Sequence, residues 1–120
     1  MGQRNYDLQE RLINFSVTLI SLVENLPNTM AAIHLGKQLL RSGTSPALNY
    51  GEAQGAESRN DFIHKMKICL KELRESQNGL KILYKARVYQ SEKKISELIT
   101  ECGELIAIFV KCIETASGKK

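Results

Sequence analysis

The chain has 120 residues and a net charge of +4, with 42% hydrophobic and 25% charged residues, two prolines and no tryptophan. This is the composition of an ordinary globular domain, and it excludes disordered, collagen-like and disulfide-stapled classes. The length predicts one domain, residues 1–120, and the scarcity of glycine and proline argues against an all-β fold, which needs many turns.

The first predicted helix covers residues 6–26. Its apolar residues recur at alternating spacings of four and three, the period of an amphipathic helix, at Leu8, Leu12, Phe15, Leu19, Leu22 and Leu26. Ile13, Ile20 and Val23 are expected to widen this apolar seam.

The second predicted helix, residues 29–53, follows Pro27 and can be capped by Asn28 or Thr29. Its expected inner residues are Ala32, Ile33, Leu35, Leu39 and Leu40. Pro46 lies inside this helix and lacks the N–H group that an interior helical residue donates. The pattern therefore predicts a helix that is kinked or broken near Pro46.

The third and fourth predicted helices, residues 59–87 and 91–116, show the same alternation. Ser58, with Asp61 three residues later, and Ser91 are the expected N-caps. The third seam contains Phe62, Met66, Cys69, Leu73, Ser76, Leu80 and Leu83, and the fourth contains Ile95, Ile99, Cys102, Ile106, Phe109 and Ile113. Short connections make sequence neighbours antiparallel, so the predicted fold class is all-α, an antiparallel up-down-up-down four-helix bundle.

Two of these helices carry more apolar surface than one core uses. Residues 105–110 read LIAIFV, and residues 12–23 contain no charge. A helix that is apolar on all sides is normally covered on all sides. We therefore predict a homo-oligomer that associates through helices 1 and 4, and the alternative is a monomer with a local apolar patch.

A set of polar residues recurs along one side of helix 2 and is matched by polar residues of helix 3. The set contains Arg41, Ser45, Asn49 and Glu52 on helix 2, and Asp61, Lys65, Glu72 and Glu75 on helix 3. Three interpretations stay open: a hydrogen-bonded network that fixes helix 2 between helices or subunits, exposed ion pairs, and a site for a ligand or partner.

The segment Leu39–Ser76, LLRSGTSPALNYGEAQGAESRNDFIHKMKICLKELRES, resembles the bacterial family of 23S ribosomal RNA intervening-sequence proteins. The family pattern of Leu-Leu-Arg, Ser, Asn-x-x-Glu, Ser-x-x-Asp-Phe and a later Glu falls on Arg41, Ser45, Asn49, Glu52, Ser58, Asp61, Phe62 and Glu75. Gly79 departs from the family, which often has an aromatic residue there.

The resemblance implies a four-helix bundle that assembles as a ring, often a pentamer, and it implies no established activity. Related bundle proteins, the accessory variability determinants of diversity-generating retroelements, assist a reverse transcriptase and engage nucleic acid.

Five cations line the outer side of helix 3, with no acid among them on that side: Lys67, Lys71, Arg74, Lys81 and Lys85. Residues 58–90 carry a net charge of +5, so the basic excess of the chain belongs to this segment. Aligned cations neutralise phosphates and bind RNA or DNA without sequence preference. The alternative is an ordinary solvated helix face, and the lack of interleaved aromatics argues against stacking on single strands.

Catalytic and metal-binding patterns do not stand out. Cys69 and Cys102 lie on apolar seams, and His34 and His64 fall on different helices. The sequence contains no C-x-x-C, H-E-x-x-H or glycine-rich phosphate loop. We expect no catalytic residues, no metal, no cofactor and no small-molecule substrate.

Sequence features also indicate a compartment. No apolar run reaches the roughly 18 residues that span a bilayer, no secretory signal pattern opens the chain, and three cysteines without paired spacing suit a reducing environment. We predict a cytoplasmic protein that makes no membrane contact.

The sequence thus predicts a non-enzymatic, oligomeric helical protein that binds structured RNA or DNA through helix 3. The alternative is a protein–protein adaptor, for example an accessory to a polymerase, that uses the apolar surface of helices 1 and 4. A third interpretation is an enzyme with a crevice at residues 41–52.

Overall fold

The computed structural model describes the backbone of residues 2–118 and the side chains of residues 8–118. It contains four helices: α1 Gly2–Glu24, α2 Met30–Gln54, α3 Arg59–Lys85 and α4 Glu92–Ala116. Residues 2–118 contain no strand, so the all-α prediction is confirmed.

Hydroxyl side chains define where three of the helices begin. Thr29, Ser58 and Ser91 each have extended backbone angles, and each accepts a hydrogen bond from the amide three residues later. Such caps satisfy amide groups that have no partner within the helix. The predicted caps Ser58 and Ser91 are confirmed, and Thr29 rather than Asn28 is the N-cap of α2.

The four helices contact one another in chain order. Contacts are densest between α2 and α3, and α1 closes the bundle by a sparser contact with α4. This arrangement is consistent with the predicted antiparallel up-down-up-down order. The bundle measures 44 × 22 × 21 Å, which suits helices of about 25 residues at about 1.5 Å per residue.

The core follows the predicted seams in α1 and α3 but differs in the other two helices. Leu98 and Leu105 are buried in α4, whereas the predicted Ile99 and Ile106 are half-buried at its flank. In α2 the expected inner residues Ala32 and Leu39 are buried, and so are small residues that no apolar pattern marks, such as Gly36, Ser42 and Gly43. Small residues let α2 approach its neighbours closely.

Pro46 is buried inside α2, which continues from Met30 to Gln54 without interruption. The sequence predicted that α2 is either kinked or broken near Pro46. The structure shows no break there, and the kink stays a prediction. Neighbouring helices bind the backbone here. Gln9 Nε2 donates to the Ala47 carbonyl at 3.1 Å, and Cys69 Sγ donates to the Pro46 carbonyl at 3.6 Å. These cross-helix hydrogen bonds hold the segment that the proline would otherwise weaken.

Candidate functional site

The predicted polar set on α2 and α3 separates into small groups. The Arg41 guanidinium donates to Glu72 Oε1 at 3.0 Å and also to Glu75. Because the Arg41 side chain is 52% exposed, this is a surface ion pair. Pairs of this kind contribute about 0–1 kcal/mol to stability.

The remaining members of the set make local contacts or none. Asn49 Nδ2 donates to Ser45 Oγ at 2.9 Å, one helical turn away, and Glu52 is exposed. Asp61 accepts from Lys65 at 3.1 Å, and this hydrogen bond lowers the pKa of the Asp61 carboxyl group. Within one chain the eight residues do not form a continuous network, so a role between subunits or with a partner stays a proposal.

A buried hydrogen-bonded pair lies beside this set. Ser76 Oγ donates to Ser42 Oγ at 2.8 Å, and both residues are buried at the contact between α2 and α3. Ser16 Oγ bonds the Leu12 carbonyl at 3.0 Å and the Gly43 carbonyl at 3.1 Å, which joins α1 to α2. The only sign of the buried pair in the sequence was a serine, Ser76, within the apolar seam of helix 3. That sign did not identify Ser42 as its hydrogen-bond partner.

Gly79 also belongs to the α2–α3 contact. A Cβ atom at this position would lie 3.0 Å from Leu39 Cδ2. That separation is tight, so any larger side chain at this position would have to displace Leu39.

Arg11 joins α1 to α4. Its Nε and Nη2 atoms donate to the two carboxylate oxygens of Glu101 at 3.0 and 2.7 Å, and Nη2 also donates to Glu104 at 2.9 Å. The bond to Glu101 is the main reason that the pKa of Arg11 is raised. Sequence reasoning missed this contact, because the partners lie far apart along the chain.

A groove of about 340 Å³ separates α1 from α4 next to the Arg11 contact. Phe15, Leu22 and Leu98 form its floor, and Lys94, Glu97 and Glu101 lie along its rim. The groove marks the place where the bundle packs least tightly.

The five predicted cations form an exposed surface on α3, which we call the basic stripe: Lys67, Lys71, Arg74, Lys81 and Lys85. Among the described residues none of the five makes an ion pair. The acids of α3 are occupied elsewhere, since Glu72 and Glu75 bind Arg41 and Asp61 binds Lys65. The positive charge of the stripe is therefore available to an external anion.

A second exposed surface is apolar. Ile13, Val17 and Ile20 are 42%, 59% and 39% exposed, and their spacing places them on the side of α1 away from the core. We call them the α1 outer stripe. Ile13 and Ile20 thus do not widen the core seam as predicted.

The expected apolar excess on α4 is largely absorbed by the bundle. Ile106, Ile108 and Val110 are half-buried, and the first two pack against the core. None of the large apolar residues described as exposed lies on α4. The apolar surface left for a partner is therefore on α1, with further exposed residues such as Leu48 on α2.

The buried cysteines are poor nucleophiles. Burial raises the pKa of the Cys69 and Cys102 thiols to about 12 each, so both remain protonated at neutral pH. Over the described residues, no cluster of three histidine, cysteine or acidic side chains is placed to hold a metal ion. Nor is any helix in this part of the chain long and apolar enough to cross a membrane.

The fold and these surfaces define an all-α four-helix protein with one basic and one apolar exposed face. The family model for 23S rRNA-intervening sequence proteins matches residues 4–111. The chain belongs to this family, which confirms the resemblance noted in the segment Leu39–Ser76.

One of the solved structures that match is similar over nearly the whole chain. It is a crystal structure of a protein with unknown function from the S23 ribosomal protein family of Bacteroides thetaiotaomicron VPI-5482. The two share 29% sequence identity with a TM-score of 0.83, covering 92% of this chain and 97% of the other. No curated protein sequence matches the chain.

Proposed function

We propose that this member of the family is a non-enzymatic, oligomeric, cytoplasmic protein that binds structured RNA through the basic stripe. The observation that carries the proposal is the state of the charges on α3. Five cations are exposed and make no ion pair within the described residues, while the acids of the same helix are bound to other side chains. Such a surface releases counterions when phosphates replace them.

The contacts of the stripe favour phosphates over bases. No tyrosine or phenylalanine lies between Lys67 and Lys81, and Tyr84, between Lys81 and Lys85, is 40% exposed, so the stripe offers at most one stacking platform for unpaired bases. Binding is then expected to follow charge and shape, and to weaken steeply with salt.

Fluorescence anisotropy with a labelled RNA hairpin tests the proposal. We expect the wild type to bind the hairpin at low salt and Lys71→Gln/Arg74→Gln to bind it more weakly. The control Lys37→Gln/Lys111→Gln, which removes two exposed cations outside the stripe, should keep most of the RNA affinity. Absence of wild-type binding at about 50 mM salt would refute RNA binding.

A second candidate function is a protein contact through the α1 outer stripe. Ile13, Val17 and Ile20 are exposed together on one helix face, and apolar stripes of this kind mark protein interaction sites. The favoured occupant is another copy of the chain, in a homo-oligomer such as a ring. The predicted subunit contact involved helices 1 and 4, and the α1 outer stripe corresponds to its helix 1 side. A polymerase or other protein is the alternative partner.

Light scattering at micromolar concentration tests self-association. We expect a mass above that of one chain for the wild type and for Ile82→Glu, which alters an exposed isoleucine on α3. Val17→Glu is expected to give the mass of a single chain, because it places a charge in the apolar contact. A monomeric wild type would exclude self-association, and co-purification with a defined partner would then favour the adaptor function.

A further inference from the structure

The connection between α3 and α4 concentrates positive charge at one end of the bundle. Residues 81–94 contain five cations and a single acid, Glu92. We call the five cations the α3–α4 corner: Lys81, Lys85, Arg87, Lys93 and Lys94. All five are exposed, and none makes an ion pair within the described residues. Lys81 and Lys85 also belong to the basic stripe, so the corner continues it.

Arg87 occupies a position where the backbone favours another residue. The Val88 amide donates to the Leu83 carbonyl and the Arg87 amide to the Tyr84 carbonyl, each at 3.2 Å. This pair of bonds is the Schellman ending of a helix, in which the residue at the Arg87 position takes a left-handed conformation and is usually glycine. Arg87 has φ 54° and is the one non-glycine residue with positive φ in the described chain.

No contact among the described residues accounts for arginine at this position. Its side chain is exposed and makes no hydrogen bond or ion pair among the described residues. The conformation is therefore maintained at a cost to stability that glycine would not carry.

Lys93 and Lys94 lie where the dipole of α4 disfavours positive charge. They lie in the first turn of α4, which begins at Glu92. The positive end of the helix dipole disfavours cations there and favours acids. Glu97 lies one turn after these lysines but makes no ion pair with either among the described residues, and Glu101 is bound to Arg11. Residues that break local rules without compensation inside the fold are expected to serve function.

We propose that the α3–α4 corner extends the basic stripe as a phosphate-binding surface and contacts the backbone of structured RNA. This inference rests on the proposed RNA-binding function and adds one end of the bundle to its contact surface. An external phosphate would supply the ion pair that Arg87 and Lys93 do not make among the described residues.

Arg87→Gly gives a test with two readouts that move in opposite directions. The melting temperature is expected to rise, because glycine adopts the left-handed conformation freely. RNA affinity is expected to fall, and the slope of log affinity against log salt is expected to become shallower by about 0.9 for one lost phosphate contact. Between about 50 and 200 mM salt, the wild type should then lose about 3.5-fold more affinity than the variant.

Matched variants separate charge from conformation. Arg87→Lys keeps the charge and should bind nearly as the wild type does. Lys93→Gln/Lys94→Gln should lower the slope by about 1.8, and Lys37→Gln, which removes an exposed cation from α2, should change it little.

The outcomes also separate this inference from the proposed function. If Arg87→Gly and Lys93→Gln/Lys94→Gln bind the hairpin as the wild type does while Lys71→Gln/Arg74→Gln loses affinity, the corner assignment is wrong and RNA binding stands. If the wild type does not bind RNA at low salt, both are wrong. Equal competition by polyglutamate of matched charge would overturn the assignment to a nucleic acid.

Discussion

The contact between α2 and α3 and the contact between α1 and α4 are built differently, although all four helices have the same apolar period. The α2–α3 contact is dense, contains the buried Ser42–Ser76 pair and places Gly79 against Leu39. The α1–α4 contact is sparse, borders a groove and is joined at its surface by Arg11. Periodicity brings helices together, whereas small residues and buried polar pairs determine how closely they pack.

The largest expected effect compares two leucines from the two contacts. Leu39→Ala should lower the free energy of unfolding by about 3–4 kcal/mol, because the surrounding close packing cannot collapse into the space. Leu98→Ala should cost about 2 kcal/mol, since Leu98 borders the groove and already has space beside it. Urea unfolding of both variants measures the difference. Equal losses would mean that the two contacts are equally rigid.

The buried serine pair should give the next largest effect. Ser76→Ala leaves the Ser42 hydroxyl group buried without its partner, which should cost about 1–2 kcal/mol. Ser42→Ala/Ser76→Ala removes both groups and should cost little more than the single change. Urea unfolding of the two single variants and the double variant measures the coupling, and additive losses would show that the pair is not coupled.

Cys69 provides a pH test of the α2–α3 contact. Burial raises its pKa from 9.0 to about 12, so between these values the folded chain keeps a proton that the unfolded chain releases. The contribution of the Cys69 thiol to the free energy of unfolding is therefore fully present below pH 9. It should decrease by up to about 1.4 kcal/mol per pH unit as the pH rises towards 12.

The matched variant for this test is Cys69→Ser, which does not titrate in that range. Unfolding measured from pH 8 to 10.5 should show a steeper decline for the wild type. Parallel curves would indicate that the thiol is not buried as the structure places it.

The smallest expected effect is at the α1–α4 contact. Arg11→Gln should lower stability by about 0.5–1 kcal/mol, because the ion pair with Glu101 is well oriented but only partly buried. The loss should shrink in about 1 M salt, where the Debye length is about 3 Å. Thermal unfolding at two salt concentrations measures this. A loss of stability that does not change with salt would indicate that packing of the aliphatic part of Arg11, rather than its charge, causes the effect.

The sequence predicted the helices, their caps and most of the core, because each depends on residues close together in the chain. In α1 and α3 every residue of the predicted four-and-three alternation is buried or half-buried, whereas Ile13 and Ile20, which were expected to widen the α1 seam, are exposed. In α4 the core contains Leu98 and Leu105 instead of the predicted Ile99 and Ile106. Both residues of each adjacent pair fit the alternating spacing of three and four, so the spacing could not distinguish them.

Contacts between distant residues were the part that sequence reasoning missed. The spacing of Arg41, Ser45, Asn49 and Glu52 predicted one polar group, but the structure divides it, because Arg41 binds across to α3 while Asn49 binds within its own helix. Arg11 and Glu101 had no local sign of their pairing. The exposure of the basic stripe followed directly from helical spacing, whereas the backbone conformation of Arg87 had no signal in composition or period.

The separation of α1 from α3 has a consequence for assembly. In the described chain these two helices make no close backbone contact, so they occupy opposite corners of the bundle. The α1 outer stripe and the basic stripe consequently point in opposite directions. A subunit that packs against a neighbour through the α1 outer stripe would therefore still present its basic stripe to solution.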